Sequence, residues 1–292
     1  MPELPEVETV RRGLERVMLG ARVDKVELRR ADIRIPFPPS FATRLRGRRI
    51  VRLDRRAKYL LFRLDSDETL IAHLGMSGSF RIEKSASSTP GAFHHEGSKD
   101  PKHDHVVLDL DNGARITYND PRRFGFMDLA STETLKTYRP LTELGDEPLS
   151  PEFGAARLAK LFAGSRAPLK SALLDQKRIA GLGNIYVCEA LFRARLLPAR
   201  PAGDLANARG APTRAASALA SAIRDVLEEA IEAGGSTLRD HRQTNGDLGY
   251  FQHAFRVYDR EGLPCLRPRC RGTVVRIAGS GRSTFYCPVC QK

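Results

Sequence analysis

The sequence predicts an α+β protein, and three observations lead to that prediction. Short strand-like segments fill the chain from Ala21 to Leu129, behind an N-terminal helix. Apolar residues at helical spacing dominate the chain beyond residue 150, and four cysteines cluster at the C-terminus. Because 292 residues exceed the usual size of one hydrophobic core, we expect more than one domain.

Residues 4 to 20 have the pattern of an amphipathic helix. Pro5 suits a first helical turn and Gly20 suits the stop. The helical period places Glu6 at the edge of the buried face. The apolar stripe consists of Val7, Val10, Leu14, Val17 and Met18.

The strand-rich region predicts a β-sandwich or a flattened barrel. Its segments include VDKVEL, RIVRLD, KYLLFRLD, TLIAHLG and HVVLDLDNGARITY, the last split by Asn112-Gly113 as a hairpin turn. The stretch from Lys84 to His105 is rich in polar residues and predicts a long surface loop. Four histidines in it could indicate a metal site, but the polar composition favours a solvated loop; they are His94, His95, His103 and His105.

The second half of the chain predicts helices over Leu169 to Gln176, Asn184 to Ala194 and Thr213 to Ala233. Residues 131 to about 150 contain several prolines and show no clear hydrophobic period, so they mark a domain boundary before these helices. We therefore divide the sequence into a first domain, a linker, a helical domain and a cysteine-rich tail. Their ranges are 1–130, 131–150, 151–252 and 253–292.

The charge of the chain favours a polyanionic partner. Lys and Arg number 48 against 35 acidic residues, which gives a formal charge of +13 and a pI near 9.9. Nucleic acid is the first expectation, because neutralising phosphates releases counterions, and a solvated basic surface is the alternative. No segment has the length and apolar character of a membrane span or leader, so we expect a soluble, cytosolic protein.

The four C-terminal cysteines, Cys265, Cys270, Cys287 and Cys290, follow the spacing C-x4-C-x16-C-x2-C. Two closely spaced thiolate pairs suit one structural Zn²⁺ ion, whereas two disulfides are disfavoured in a cytosolic chain. The residues between the pairs predict a hairpin that presents Arg282 after its turn. This arginine can bind a phosphate or can be an ordinary exposed turn residue.

A glycine turn, residues 177–184, joins two predicted helices, and Asn184 is placed to cap the second. Backbone amides at a helix start, together with Lys170, Lys177 and Arg178, are suited to hold a phosphate. The alternative is a turn that merely reverses the chain.

The first residues can carry chemistry if Met1 is removed. The pKa of a terminal amine is about 8, against about 10.4 for a lysine side chain, so the nitrogen of Pro2 is a credible nucleophile. Glu3 is placed beside it to transfer protons. Proline and glutamate are also what a helix start prefers, so a merely capped helix is the alternative.

The segment PELPEVETVRRGL, with RRAKYLLF, HLGMSGSFRI, NDPRRFG, GLGNIY and GRSTFYCPVCQK, closely resembles the bacterial formamidopyrimidine-DNA glycosylase family. The resemblance spans nearly the whole chain. It implies an N-terminal β-sandwich with flanking helices, a C-terminal helix-two-turn-helix domain and a zinc finger. The partner it implies is double-stranded DNA with an oxidised base or an abasic site, bound by a monomeric, bacterial cytosolic enzyme.

The resemblance also implies an activity and its residues. The enzyme excises oxidised purines such as 8-oxoguanine and formamidopyrimidines, then cleaves the abasic strand by β,δ-elimination. Pro2 is the Schiff-base nucleophile, Glu3 the acid/base and Glu6 its support, while Lys58 lies near the lesion phosphate and sugar. Asn184 and Arg282 grip phosphates.

A further group fills the gap that a flipped nucleotide leaves in the duplex. By resemblance, Met76 and Phe124 wedge into the stack and Arg122 bonds to the widowed cytosine. The stretch from Ser236 to Tyr250 includes the loop that closes over the flipped base. From residue type alone, Met76 and Phe124 suit a core and Arg122 a solvated surface.

Two alternatives remain from the sequence. An endonuclease VIII-like glycosylase shares the proline chemistry and prefers oxidised pyrimidines, but Met76, Arg122 and Phe124 favour the purine enzyme. A non-catalytic zinc-finger DNA-binding protein has no need of Pro2, Glu3 and Lys58.

Overall fold

The computed structural model describes residues 2–84, 100–236, 250–279 and 281–292. Internal contacts divide the chain into two compact units. The first comprises Met1–Thr142 with Ala233–Tyr250, and the second comprises Glu143–Glu232 with Phe251–Lys292. The four sequence ranges stay a prediction, since compact units and sequence domains are different divisions.

The described part of the first unit contains three helices and eight strands. In chain order they are α1 (Leu4–Met18), β1 (Val23–Leu28), α2 (Phe41–Leu45), β2 (Ile50–Arg56), β3 (Tyr59–Leu64), β4 (Glu68–His73), β5 (Ser79–Lys84), β6 (Asp104–Leu110), β7 (Ala114–Asn119), β8 (Phe126–Ser131) and α3 (Arg139–Thr142). Single 3₁₀ turns span Pro101–His103 and Glu133–Lys136.

Two four-stranded antiparallel sheets, ordered β1-β6-β7-β5 and β2-β3-β4-β8, form the predicted β-sandwich. Phe62 of β3, Phe80 of β5 and Tyr118 of β7 belong to one buried core with residues of both sheets. The β-sandwich prediction is confirmed, and an isolated antiparallel bridge between Arg22 and Arg49 links the two sheets where β1 and β2 begin. Strands β5 and β8 were not singled out in the sequence.

Helix α1 covers this core with its predicted apolar face. Val7, Val10, Leu14 and Met18 are almost completely buried, and α1 packs on β2. Gly20 follows the helix with φ +78°, a left-handed conformation that glycine adopts without a Cβ penalty. The composition of this segment thus fixes both where the helix ends and which side faces the sandwich.

The second unit is helical with a terminal hairpin. Its elements are α4 (Ala155–Phe162), α5 (Leu169–Leu173), α6 (Asn184–Arg193), α7 (Arg214–Glu232), β9 (Val275–Gly279) and β10 (Arg282–Tyr286), with 3₁₀ turns at Ala202–Leu205 and Phe251–Ala254. Helices α5 and α7 are shorter than predicted, while Gly234 and Gly235 follow α7 at φ +76° and +80°. None of the helices described here has both the length and the apolar character that crossing a membrane requires.

Candidate active site and metal centre

The predicted catalytic residues at the N-terminus are buried at the start of α1. Pro2 is buried, and Glu3 and Glu6 are 4% and 2% exposed. The backbone N–H of Glu3 donates to Glu6 Oε2 at 2.9 Å, as in a capping box. Ser236 donates to Glu6 Oε1 from its N–H at 2.8 Å and its hydroxyl at 2.9 Å. Glu6 is therefore fixed from both oxygens and lies deeper than the edge position that the helical period predicts.

Lys58 lies in the tight turn between β2 and β3, and it is 7% exposed. Ala57 precedes it with φ +52°, a conformation that costs a non-glycine residue free energy. Arg55 stabilises the turn by donating to the Ala57 carbonyl at 2.9 Å and to Glu8 Oε2 at 3.1 Å. Since Glu8 belongs to α1, this bridge fixes the lysine turn to the helix whose N-cap is Glu3.

Glu8 itself is an anion held by arginines. Burial opposes its ionisation, yet Arg11, Arg12 and Arg55 together hold the pKa of Glu8 below the ordinary value. A charged, hydrogen-bonded Glu8 is thus the link between α1 and the Lys58 turn at neutral pH.

His73 is a polar residue of this region that sequence reasoning missed. It is the register partner of Tyr59 at the end of β4 and stacks on Phe126 at 5.8 Å. Burial, with smaller effects of Lys58 and Arg34, lowers the pKa of His73 to about 4. Its Nδ1 accepts from the Gly75 N–H at 3.0 Å, so the neutral ring carries its proton on Nε2. The sequence alone does not indicate a role for His73, because a single histidine at the end of a strand belongs to no recognisable motif.

Met76, Arg122 and Phe124 lie on two adjoining loops of the first unit. Met76 and Phe124 are 38% and 45% exposed, and the Arg122 guanidinium lies 4.9 Å from the Phe124 ring centroid. A Cβ on Gly75, which has φ +60°, would lie 2.3 Å from the Phe124 carbonyl carbon. Only glycine lets these two loops approach so closely. The three predicted DNA-contacting side chains therefore lie on loops that are in direct contact.

The glycine turn of the second unit is closed by Gln176. Its Oε1 accepts from Gly181 N–H at 3.0 Å and its Nε2 donates to the Leu182 carbonyl at 2.8 Å. The predicted cap at Asn184 is wrong: Gly183 is the N-cap of α6, and Asn184 is the first helical residue. Its side chain instead donates to the Ser283 carbonyl at 2.9 Å, a partner far along the sequence.

Lys170 also binds the hairpin strand rather than facing solvent. It is 6% exposed, and its ammonium donates to the Ser283 carbonyl at 2.9 Å and to Thr284 Oγ1 at 2.7 Å. Arg282, which precedes these residues at the start of β10, is exposed. Lys170 and Asn184 thus hold the backbone beside the arginine that the sequence predicts to grip a phosphate.

The four C-terminal cysteines converge on one point. Their Sγ atoms all lie within 4.8 Å of one another, with Cys265 to Cys290 at 3.8 Å and Cys270 to Cys287 at 3.7 Å. A tetrahedron of sulfurs at about 2.3 Å from a zinc ion has edges of about 3.8 Å, so the spacing fits Zn²⁺. Among the residues that the structure describes, this is the one cluster of its kind.

The surroundings of the sulfurs fit a thiolate site. Backbone N–H groups of Arg267 and Gly272 donate to Cys265 Sγ at 3.5 Å and Cys270 Sγ at 3.4 Å. A Cβ on Gly272 would lie 2.6 Å from Cys287 Sγ, so this position requires glycine. The four cysteines form a structural zinc site that stabilises the hairpin; Cys188, the fifth, is fully buried in α6.

Two predicted segments lie largely outside the described residues. The predicted closing loop is described only at Ser236 and Tyr250, which form an isolated bridge, and His94 and His95 are not described. His105 lies in β6 and is 2% exposed, so the surface loop ends before it.

Family models match three consecutive parts of the chain. The formamidopyrimidine-DNA glycosylase N-terminal domain matches residues 1–127 and the formamidopyrimidine-DNA glycosylase H2TH domain matches residues 144–242. A zinc finger found in FPG and IleRS matches residues 262–292. These matches confirm the predicted helix-two-turn-helix domain and zinc finger.

Individual relatives agree along the full length. The formamidopyrimidine-DNA glycosylase of Rhizobium leguminosarum bv. trifolii is 61% identical over 301 residues, covering 100% of both chains. The crystal structure of the MutM (Fpg) protein from Thermus thermophilus is 43% identical with a TM-score of 0.81, covering 99% of this chain and 98% of that one.

A third relative, the Fpg of Lactococcus lactis, is 32% identical over 100% of both chains. A mutant of it in complex with Fapy-dG containing DNA superposes with a TM-score of 0.84. Other structures of that protein contain DNA with an abasic site or an oxidised pyrimidine. With family models over most of its length and a 61% identical full-length relative, the chain belongs to the formamidopyrimidine-DNA glycosylase family.

Proposed function

We propose that this protein is a bifunctional DNA glycosylase and abasic-site lyase that removes oxidised purines and formamidopyrimidines. The observation that carries the proposal is the buried start of α1, where Pro2 and Glu3 stand beside a doubly anchored Glu6. A helix cap needs no such long-range anchor, whereas an acid/base beside an amine needs a fixed position. The chain works as a monomer in the bacterial cytosol.

The first chemical step belongs to Pro2, once Met1 is removed. Its nitrogen attacks C1′ of the damaged nucleotide, the bond from C1′ to the base breaks, and the base leaves with the proton that the Pro2 nitrogen loses. Glu3 donates a proton to the ring oxygen O4′, so the sugar opens and an iminium forms between Pro2 and C1′. The iminium is cationic without a further proton, because proline is a secondary amine.

The iminium then acts as an electron sink for strand cleavage. Loss of a C2′ proton expels the 3′ phosphate, and a second elimination expels the 5′ phosphate. Water hydrolyses the remaining iminium and returns Pro2 as a free amine. Glu6 keeps Glu3 in register through the Glu3 N–H, and Lys58 supplies positive charge near the lesion phosphate.

Other residues hold the DNA in the state that this chemistry needs. Met76 and Phe124 fill the gap of the extruded nucleotide, and Arg122 bonds to the widowed cytosine. Asn184 and Arg282 contact phosphates, and Lys170 contributes by fixing the hairpin at Ser283 and Thr284. A formal charge of +13 supports binding to the phosphate backbone.

One specific observation supports the alternative that the enzyme acts on oxidised pyrimidines. The Lactococcus lactis relative, which is 32% identical, is seen in complex with an oxidized pyrimidine containing DNA. The purine assignment rests on 61% identity to a formamidopyrimidine-DNA glycosylase and on Met76, Arg122 and Phe124 lying on adjoining loops.

The test is borohydride trapping, after mass analysis has established that Pro2 is the first residue. Duplexes carry 8-oxoguanine opposite cytosine or an oxidised pyrimidine. We expect a covalent complex on the purine lesion, reduced roughly 100-fold or more by Pro2→Gly. Pro5→Ala, which alters the same helix start without touching the terminal nitrogen, keeps trapping at the parental level.

Each outcome decides between the candidate functions. Faster trapping on the pyrimidine duplex moves the assignment to the endonuclease VIII side. Tight DNA binding without trapping on either duplex, with Pro2 at the terminus, leaves the non-catalytic DNA-binding protein.

A further inference from the structure

We propose that Asp120 is a positioning residue for base extrusion: its buried carboxylate joins the loop of Met76 to the loop of Arg122 and Phe124 and sets their relative position. This inference rests on the proposed function. Asp120 is 0% exposed and lies directly after β7, at the start of the second of these loops.

One carboxylate oxygen binds both loops. Asp120 Oδ1 accepts from the Ser77 hydroxyl at 2.5 Å, and Ser77 directly follows Met76. The same oxygen accepts from the Arg122 N–H at 3.3 Å, and that N–H also donates to Ser77 Oγ at 3.1 Å. Asp120, Ser77 and the backbone of Arg122 therefore form a closed triangle of hydrogen bonds.

The other oxygen closes the far end of the same loop. Asp120 Oδ2 accepts from the Gly125 N–H at 2.8 Å and from the Tyr118 hydroxyl at 3.4 Å. Gly125 follows Phe124, so one carboxylate spans the segment that carries Arg122 and Phe124. A Cβ on Gly125 would lie 1.9 Å from the Tyr118 hydroxyl, so the packing at this end leaves no space for a larger residue.

The backbone of Asp120 is fixed to the 3₁₀ turn that ends at His103 and to the start of β6. Its N–H donates to the His103 carbonyl at 3.0 Å, and its carbonyl accepts from His105 Nε2 at 2.8 Å. Both the backbone and the side chain of Asp120 thus have hydrogen-bond partners. The carboxylate transmits the rigidity of β6 and β7 to loops whose tips are exposed.

The nature of the tips distinguishes positioning from simple stabilisation. Met76 and Phe124 are 38% and 45% exposed, so the loops that these hydrogen bonds hold carry apolar side chains that face solvent. A wedge must meet the stack at a defined depth, because misplacement by about 1 Å costs on the order of 100-fold in rate. A buried hydrogen-bond network that fixes exposed loop tips is expected where those tips insert into a binding partner.

The experiment compares three variants of the full-length protein. Asp120→Asn keeps the shape but replaces one acceptor oxygen by an NH₂ group, so the N–H donors at one end of the loop lose their partner. Ser77→Ala removes the hydroxyl link between the loops and leaves Asp120 in place. Asp104→Asn is the control, because Asp104 is a buried carboxylate, 3% exposed, that binds Arg81 and Asn119.

Three rates are measured beside thermal stability. They are single-turnover excision of 8-oxoguanine opposite cytosine, the same opposite adenine, and strand cleavage at a preformed abasic site in single-stranded DNA. We expect Asp120→Asn to lower excision opposite cytosine by roughly 10- to 100-fold and to bring the cytosine-to-adenine ratio toward one. Single-strand cleavage, which needs no wedge, stays within about 3-fold. Ser77→Ala changes the same two quantities by roughly 3- to 10-fold.

The outcomes are distinct. Asp104→Asn lowers the melting temperature and leaves the opposite-base ratio at its parental value. If Asp120→Asn and Ser77→Ala also keep that ratio, or slow single-strand cleavage as much as excision, the two residues only stabilise the fold and the inference is wrong. A parent protein inactive on all three substrates removes the proposed function itself, and the inference with it.

Discussion

The start of α1 and the β9–β10 hairpin are stabilised in opposite ways. Glu3 and Glu6 belong to a helix whose apolar face is part of a large sandwich core, and Ser236 adds one long-range anchor. The hairpin has little core of its own, since four of the five residues of β9 are exposed. Among the described residues of the hairpin, only Phe285 of β10 joins a small apolar cluster with α6, and four thiolates and the polar contacts of Lys170 and Asn184 add to it.

This difference predicts which functions fail together. A site on a hydrophobic scaffold keeps its geometry when a distant ligand is lost, because burial of apolar surface is independent of that ligand. A hairpin that contributes to only a small apolar cluster depends more strongly on its metal. The proline chemistry and the grip of Arg282 on DNA should therefore be separable by experiment.

Zinc removal should have the largest effect on the difference between the two regions. Structural zinc sites contribute on the order of 10 kcal/mol to folding, so chelation should unfold β9 and β10 and leave α1 in place. Hydrogen exchange over residues 275–286 should rise to that of an unfolded chain, while residues 4–18 keep their protection. Duplex affinity should fall by at least about 100-fold.

A pair of cysteine variants controls for the chelator. Cys270→Ser should lose zinc and reproduce the chelated state, whereas Cys188→Ala, which removes a buried thiol of α6, should retain one zinc per chain. Loss of protection in α1 on chelation would mean that the two regions are not independent.

The segment that precedes the zinc finger also depends on a polar contact, which Glu189 provides. This carboxylate of α6 is 0% exposed and accepts from the backbone N–H groups of Arg256, Val257 and Tyr258 at 2.9 to 3.0 Å. Burial raises the pKa of Glu189, and the three N–H donors oppose that rise. Glu189→Ala removes the acceptor of three backbone N–H groups, of which that of Val257 is buried, and should cost about 3 to 5 kcal/mol of unfolding free energy.

Denaturant unfolding measures this cost. Glu228→Gln, an exposed carboxylate of α7, is the control and should change the unfolding free energy by less than about 0.5 kcal/mol. A Glu189→Ala variant as stable as this control would show that the segment before the finger does not depend on the carboxylate.

The comparison also explains how far the sequence could lead. Helix α1 and the zinc site were predictable, because a helical period and the spacing of four cysteines are local patterns. Asn184 was misplaced as a cap, because its amide binds Ser283, 99 positions along the chain. Asp120 was likewise invisible as a junction, since its Ser77 partner lies 43 positions away.

Residue type was informative where chemistry is local and uninformative where a contact is long-range. Pro2 and Glu3 carried a chemical hypothesis by their position at the terminus. Lys170 was named for its charge, but its buried ammonium has backbone and hydroxyl partners in β10. A basic residue near a glycine turn does not reveal whether it faces DNA or holds another strand.

His73 gives the smallest expected effect and tests the polar side of the first unit. Its pKa of about 4 in the folded protein lies below the value of 6.5 for an unperturbed histidine. Between these pH values the unfolded chain binds a proton that the native state does not, so stability falls as pH decreases from about 6.5 to about 4. Below that window both states are protonated, and above it neither is. Because the ring keeps partial exposure, we expect this histidine to account for about 1 to 2 kcal/mol.

The measurement is a double difference, which cancels the carboxylates that also titrate in acid. Unfolding free energies of the parent and of His73→Gln are compared at pH 8 and at pH 5. Glutamine can still accept from Gly75 N–H but cannot be protonated, so the variant should lose less stability between the two pH values than the parent. Equal losses would mean that His73 is as accessible to protons in the folded site as in the unfolded chain. The ring beside Lys58 would then carry a positive charge in mild acid, and the region around the lysine turn would be wetter than its burial indicates.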